Sequence, residues 1–154
     1  MGGWMRLLDY PPIWLAGFVL LTLAVDFGLP MGGFGALAAV ARPLGVVLGL
    51  AGVGLMVIAV PAFMRHRTTI VPHRDADVLI TSGVYARTRN PIYLGDVLIL
   101  TGVILWRDAV LALPLVPIFA WVLQRRFILP EEARLRVRFG AAFDSYARQT
   151  RRWI

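Results

Sequence analysis

The chain has 154 residues, of which 58% are hydrophobic and only 16% are charged. A typical soluble domain is about half apolar and about a quarter charged. This composition excludes a disordered chain and favours a single-domain membrane protein. The formal net charge is +7, and all sixteen basic residues are arginines. The lack of lysine and cysteine excludes lysine nucleophiles, disulfides and thiolate metal sites, and with only two histidines a metal site is not expected.

Four apolar stretches predict four transmembrane helices, at about residues 13–29, 44–64, 92–106 and 109–129. The second stretch carries no charge and, at about 1.5 Å per residue, covers roughly 31 Å, a full bilayer core. The last two flank Arg107 and Asp108, which predicts a helical hairpin with its tip at these residues. Gly45 and Gly49 indicate a close helix-packing face. The expected fold class is all-α, a polytopic membrane protein with a cytoplasmic amphipathic C-terminal helix.

The arginines predict the orientation of this bundle. With the amino terminus in the cytoplasm, only Arg42 and Arg107 lie outside, and the other fourteen arginines lie on the cytoplasmic face or in the tail. Because positively charged loops stay on the cytoplasmic side, this bias predicts four spans with both termini inside. The positive charge is then explained by topology and by anionic membrane lipids, and nucleic-acid binding is not expected.

Most of the other polar residues fall in two segments, residues 65–95 and 124–154, both predicted on the cytoplasmic side. In the second, we expect Pro130 at the first position of a new helix, with Glu131 and Glu132 in its first turn, where acidic residues favour the helix dipole. Helical spacing then predicts one apolar stripe, formed by Leu135, Phe139, Ala142, Phe143 and Tyr146. This helix either lies on the membrane surface or closes over a site between the two segments.

Three further residues are candidates for chemistry because of their type and place. A carboxylate within a membrane span is costly and indicates a function. Asp96 is therefore expected to face a cofactor or a polar substrate, whereas Asp26 is close enough to the outer end to be interfacial. His73 is interpreted as a solvated loop residue.

Ordered motifs link the two polar segments. Residues 79–85 contain a Thr-Ser-Gly turn and lead into residues 89–95, which read Arg-Asn-Pro-Ile-Tyr-Leu-Gly. After the hydrophobic hairpin come Glu131-Glu132, Phe139-Gly140 and Tyr146. In this order the chain, from about residue 65 to its end, resembles the isoprenylcysteine carboxyl methyltransferases and their relatives, the phospholipid methyltransferases.

The resemblance implies an integral-membrane enzyme that uses S-adenosylmethionine, releases S-adenosylhomocysteine, binds no metal and methylates a lipid or prenylated substrate. By motif, it implies that the cofactor contacts are Asp77, Val78, Leu79, Ile80, Tyr85, Asn90, Pro91, Ile92, Tyr93, Gly95, Glu131 and Glu132. Of the acidic pair, Glu131 is the favoured contact and Glu132 lies beside it. The family also has an arginine before the acidic pair that engages the substrate carboxylate. At that spacing this chain has Phe127, so Arg126 or Arg125 is the nearest candidate for that catalytic role.

The acceptor stays open among three readings. The leading one is carboxyl methylation of a prenylcysteine-like substrate. However, Asn90-Pro91 stands where those enzymes have His-Pro, a form associated with the phospholipid branch. The alternatives are therefore N-methylation of a phosphatidylethanolamine-type headgroup and, in another class, a non-catalytic membrane scaffold. A carboxylate needs only orientation and screening by an arginine, whereas an amine must first lose a proton.

Overall fold

The computed structural model describes residues 10–29, 33–65 and 78–154, with only the backbone of residues 63–65. The helices of these ranges are α1 (Pro11–Gly28), α2 (Ala38–Arg65), α3 (Pro91–Trp106), α4 (Leu115–Leu123), α5 (Leu129–Phe139) and α6 (Ala141–Gln149). Single 3-10 turns occupy Gly35–Leu37, Gly83–Ala86 and Val110–Ala112. The described ranges contain no strand, only an isolated bridge between Thr88 and Arg151. The all-α prediction is confirmed for this part of the chain.

Three apolar helical stretches are long enough to cross a membrane: Pro11–Gly28, Gly35–Ala62 and Val110–Phe139. They fit an integral membrane protein. The fourth apolar helix, α3, has 16 residues and lies between them in sequence. At about 1.5 Å per residue it measures roughly 24 Å, less than the hydrocarbon core of a bilayer.

Glycines bring α2 and α3 into backbone contact. A Cβ atom built on Gly52 would lie 2.6 Å from the carbonyl oxygen of Gly95, and one on Gly102 would lie 2.6 Å from that of Gly45. From the first pair to the second, the residue number falls in α2, from Gly52 to Gly45, and rises in α3, from Gly95 to Gly102. The two helices are therefore antiparallel. The predicted packing face at Gly45 is confirmed, and Gly49 adds its backbone, 2.7 Å from a Cβ at Gly102.

The bundle has two polar ends, which we name by their contents. The tip end holds the α3–α4 connection, where Asp26 accepts hydrogen bonds from Arg107 Nε (3.0 Å) and Nη2 (2.6 Å). Asp108 accepts the Phe34 backbone N–H (2.7 Å) and pairs with Arg42 (3.2 Å). Both arginines predicted outside are thus paired with acids. The tail end holds the start of α3 and the carboxy terminus.

The last apolar stretch continues into α5, which begins at Leu129 with Pro130 in its first turn. Val110–Phe139 is one helical stretch, in which Gln124–Ile128 form a π-turn between α4 and α5. Proline has no N–H and its ring crowds the carbonyl four residues earlier, so a regular α-helix cannot pass through it undisturbed. The wider π-turn directly before Pro130 accommodates it and lets the helix continue. Pro130, Glu131 and Glu132 therefore lie in the first turn of α5 as predicted, but α5 continues from α4 through the π-turn instead of following a break in the helix.

The predicted amphipathic C-terminal helix is likewise two helices. Gly140 has φ +50° and separates α5 from α6. This backbone conformation favours glycine, and it redirects the chain. Phe143 and Tyr146 on α6 are buried, whereas Ala142 is exposed. The single stripe is therefore split, because its second half packs against the tail end after the turn.

A side chain added at the glycine contact should separate α2 from α3. We expect Gly52→Ala to lower the free energy of unfolding by about 1–3 kcal/mol, because its Cβ meets fixed backbone. The matched control is Gly54→Ala in the same helix, where a Cβ meets nothing within 4 Å. Thermal unfolding in detergent micelles measures both. Equal stability of the two variants would contradict the contact.

Candidate functional site

The tail end gathers carboxylates, tyrosines and arginines from distant parts of the chain. Glu131, in the first turn of α5, accepts a hydrogen bond from the Tyr93 hydroxyl at 3.1 Å. Tyr93 comes from the first turn of α3, is 8% exposed and stacks on Phe127, with ring centroids 6.2 Å apart. The continuous helix through Pro130 thus puts Glu131 opposite the start of α3.

Glu132 has a different environment, although it is the next residue. Its Oε1 accepts hydrogen bonds from Arg89 Nε (3.2 Å) and Nη2 (2.9 Å) and from Arg152 Nε (3.0 Å). Its Oε2 accepts one from Arg152 Nη2 at 2.7 Å. Neighbouring residues of a helix point about 100° apart, so the two acids face different groups. Glu132 is 7% exposed, and the hydrogen bond to it raises the pKa of Arg152.

The carboxy terminus lies against the turn before α3. The Arg89 N–H donates to the Arg151 carbonyl (3.0 Å), and Asn90 Nδ2 donates to the Arg152 carbonyl (3.0 Å). Arg89 Nη1 also donates to the Ala147 and Thr150 carbonyls, at 2.8 and 2.6 Å. One turn of the sequence motif therefore holds the last residues of the chain.

Two buried tyrosines join α6 to the Gly83–Ala86 turn. The Tyr146 hydroxyl donates to the Tyr85 carbonyl at 2.6 Å. Burial raises the pKa of Tyr146 to about 12, and the nearby positive charge of Arg89 opposes this rise. Burial also raises the pKa of Tyr85, and the negative charge of Glu131 adds to it. Both phenols therefore remain neutral at physiological pH.

A cavity of about 370 Å³ opens beside Tyr85. It is lined by three residues near the end of α2 and by the following turn: Ile58, Pro61, Ala62, Ser82, Gly83, Val84 and Tyr85. The lining is mainly apolar, and Ile58 at its edge is 63% exposed. This volume lies at the small end of the range for ligand pockets.

Asp96 is buried without compensation. It lies one helical turn after Tyr93, is 1% exposed, and its Oδ2 has no hydrogen-bond partner within the described residues. A buried carboxyl group without a partner is costly and points to a function rather than to folding. The structure thus gives weight to the residue that the sequence singled out inside a span.

The predicted site residues fall into three groups. Tyr85, Asn90, Pro91, Tyr93, Glu131 and Glu132 meet at the tail end, and Ile80 and Ile92 pack in the apolar cluster around Tyr85. Val78 is exposed, Leu79 is half-buried, and Gly95 lies in the α2–α3 contact. Asp77 and His73 lie outside the described residues.

The candidate catalytic arginines lie elsewhere on the long helix. Arg125 and Arg126 are exposed, and the Arg126 guanidinium lies 5.5 Å from the ring centroid of Trp14 on α1. Phe127, at the spacing where the carboxyl methyltransferases have arginine, is 2% exposed and belongs to the core. The sequence analysis missed Arg89 and Arg152 as partners of Glu132. Arg89 carries a signal, since it directly precedes Asn90-Pro91, but nothing distinguishes Arg152 from the other tail arginines.

These features define an all-helical membrane protein with a polar site at one end of its bundle. Within the described ranges, no group of three or more His, Asp or Glu side chains is arranged to hold a metal ion. The model of a family described as phospholipid methyltransferase matches residues 40–142, more than half of the chain. The chain belongs to the phospholipid methyltransferase family. No curated protein and no solved structure matches it. Membership supports a membrane methyltransferase that acts on lipid-type substrates.

The Tyr146 hydroxyl should stabilise the tail end in a pH-dependent way. Removing it in Tyr146→Phe leaves the Tyr85 carbonyl without its donor, and we expect a loss of about 1–2 kcal/mol in unfolding free energy at pH 7. Because the pKa of Tyr146 is about 12 in the fold and about 10 in the unfolded chain, stability should fall as pH rises above about 10.

Unfolding midpoints at pH 7 to pH 11 measure this dependence. The variant should lose less stability above pH 10 than the wild type does. Tyr10→Phe is the control, since Tyr10 is 43% exposed. An identical pH dependence in the wild type and Tyr146→Phe would contradict the assignment.

Proposed function

We propose that the protein is an S-adenosylmethionine-dependent methyltransferase whose cofactor binds at the tail end and whose acceptor is a lipid. The carrying observation is the Glu131 carboxylate, which accepts the Tyr93 hydroxyl, together with the unpartnered oxygen of Asp96 one helical turn after Tyr93, in a chain of this family. When bound, S-adenosylmethionine supplies an electrophilic methyl group on a sulfonium.

The residues present fit this cofactor. Its ammonium and ribose hydroxyls are hydrogen-bond donors, and Glu131 is an acceptor to which only the neutral Tyr93 hydroxyl donates among the described residues. Tyr85 and Tyr93 offer ring faces with a polar tip, suited to an adenine or a sulfonium. Asp77, Val78, Leu79, Ile80, Asn90, Pro91, Ile92 and Gly95 remain proposed members of the same site. Buried aromatic rings around it would exclude water, which favours methyl transfer over side reactions.

An amine headgroup is the acceptor that the geometry favours. A carboxylate acceptor needs a cation, yet Phe127 is buried in the core and Arg126 lies over Trp14. An ammonium acceptor needs an anion and must lose a proton before it attacks. Asp96 supplies an unpartnered carboxyl oxygen for that proton. Prenylcysteine carboxyl methylation is the second candidate, because Arg125 and Arg126 are exposed on the same helix.

We also propose that the bundle crosses the membrane four times, with the tail end in the cytoplasm. Ten of the twelve arginines with described side chains lie at the tail end, and the two at the tip end are ion-paired. The positive-inside rule then sets the orientation. Water-soluble cofactor would enter from the cytoplasm, and the lipid from the bilayer.

Single cysteines test this orientation, because the wild type contains none. Ala36→Cys, exposed at the tip end, should react with a membrane-impermeant maleimide on intact cells. Arg151→Cys, exposed at the tail end, should react only after permeabilisation. The reverse pattern, or labelling of both on intact cells, would contradict the proposed topology.

Ligand binding tests the enzyme assignment. Isothermal calorimetry with purified protein should show S-adenosylhomocysteine binding, weakened about ten- to hundredfold in Glu131→Gln, because a hydrogen bond to a charged group contributes about 1.5–3 kcal/mol. Asp144→Asn is the matched control, since its carboxylate pairs with Arg136 on the surface. Absence of binding by the wild type would overturn the enzyme proposal and favour the scaffold.

The methylated product distinguishes the acceptors in the same preparation. Phosphatidylethanolamine should yield a base-stable methylamine, and Asp96→Asn should abolish that transfer while retaining S-adenosylhomocysteine binding within about tenfold. A base-labile methyl ester formed on a prenylcysteine analogue, with no transfer to the phospholipid, would reverse the preference. If Arg126→Ala then formed no methyl ester, Arg126 would be the cation that engages the substrate carboxylate.

A further inference from the structure

The adjacent acids of the tail end, Glu131 and Glu132, have different hydrogen-bond partners, which indicates that they have different roles. Glu131 bonds to a neutral hydroxyl, whereas both oxygens of Glu132 are occupied by guanidinium groups. Glu132 is 7% exposed and its four hydrogen bonds come from within the protein. A ligand would have to displace an arginine to reach it.

The arginines that hold Glu132 also hold the last five residues of the chain, which we call the strap (residues 150–154). Arg152 belongs to the strap, and two of its guanidinium nitrogens donate hydrogen bonds to Glu132. The backbone carbonyl of Arg152 accepts hydrogen bonds from Asn90 and from the Thr88 hydroxyl (3.3 Å). Arg89 connects Glu132 to the carbonyls at the end of α6. Farther along, Trp153 Nε1 donates to Gln124 Oε1 at 3.1 Å, next to the π-turn.

We propose that Glu132 is a positioning residue: by fastening the strap to the turn before α3, it fixes the distance between α3 and α5 at which Tyr93 and Glu131 meet a ligand. The turn that the strap grips leads directly into the helix that carries Tyr93, and Glu132 directly follows Glu131. A charge-assisted network in a half-buried setting is strong when complete and costly when one member is missing.

The inference rests on the proposed function for its ligand, so its test measures the strap and the ligand separately. Hydrogen–deuterium exchange reports the strap, because the Arg89 amide donates to the Arg151 carbonyl. Calorimetry with S-adenosylhomocysteine measures ligand affinity at the proposed site. Both are measured on the full-length protein in the same detergent.

Glu132→Gln should raise the rate of amide exchange in residues 87–90 at least about tenfold. It should also weaken the binding of S-adenosylhomocysteine about tenfold. Arg152→Gln should do the same, with Arg152→Lys intermediate because it keeps the charge but loses the fork. Arg151→Gln is the matched control, since that side chain is exposed and, within the described residues, its one hydrogen bond runs from Nη1 to the Ile154 carbonyl at 3.5 Å. Glu131→Gln should weaken the ligand without changing exchange.

A chain that ends at Gln149 provides the decisive variant, because it removes the strap and leaves both acids in place. The truncated chain should have the same ligand affinity as Glu132→Gln. If Glu132→Gln fails to fold, the truncated chain tests the proposal in its place. Unchanged affinity in this truncated chain would overturn the proposal. So would a Glu132→Gln variant that loses the ligand with exchange unchanged, which would make Glu132 a direct contact. If the wild type binds no S-adenosylhomocysteine, the function fails while the exchange data still test the strap.

Discussion

The backbone contact between α2 and α3 is the constraint on which the rest of the structure depends. Gly45 and Gly52 meet Gly102 and Gly95 with no side chain between the helices, so the register of the antiparallel pair is fixed within a fraction of a turn. In a membrane, where lipid tails are as apolar as leucine, such close contact replaces the hydrophobic effect as a source of association. It sets the beginning of α3, and with it Asn90 and Tyr93, beside the end of α2.

The two ends of the bundle use charge in opposite ways. At the tip end each arginine forms an ion pair with one acid, Arg107 with Asp26 and Arg42 with Asp108. These two ion pairs link the α3–α4 connection to α1 and α2. Among the described side chains of the tail end, arginines outnumber acids, and Arg89 and Arg152 are the two that pair with Glu132. The same residue type thus links the loops at one end of the bundle and assembles the candidate site at the other, depending on its acidic neighbours.

The candidate site depends on a helix that continues where a proline would ordinarily interrupt it. The π-turn before Pro130 adds one residue to a helical turn, and this rotates the residues that follow. Glu131 therefore faces Tyr93, and Glu132 faces the strap. The proposed function depends on this placement, because a polar cofactor and a lipid acceptor can meet where helices leave the membrane. Gly140 then returns α6 to cover the turn that carries Tyr85.

The sequence by itself determined the helical class, the positions of the apolar stretches and the family, because hydropathy, arginine bias and motif order are local or additive properties. It also identified Asp96, since a carboxylate in an apolar run is conspicuous. The family resemblance favoured Glu131 over Glu132 as the cofactor contact, but the sequence could not show what Glu132 binds. It also could not separate Arg152 from Arg151, because adjacent residues differ only in the direction they face. Nor could it find the helix through Pro130 or the turn at Gly140, where one backbone conformation redirects everything downstream. Those choices were made by tertiary contacts, which decide which partners each of two chemically equal side chains faces.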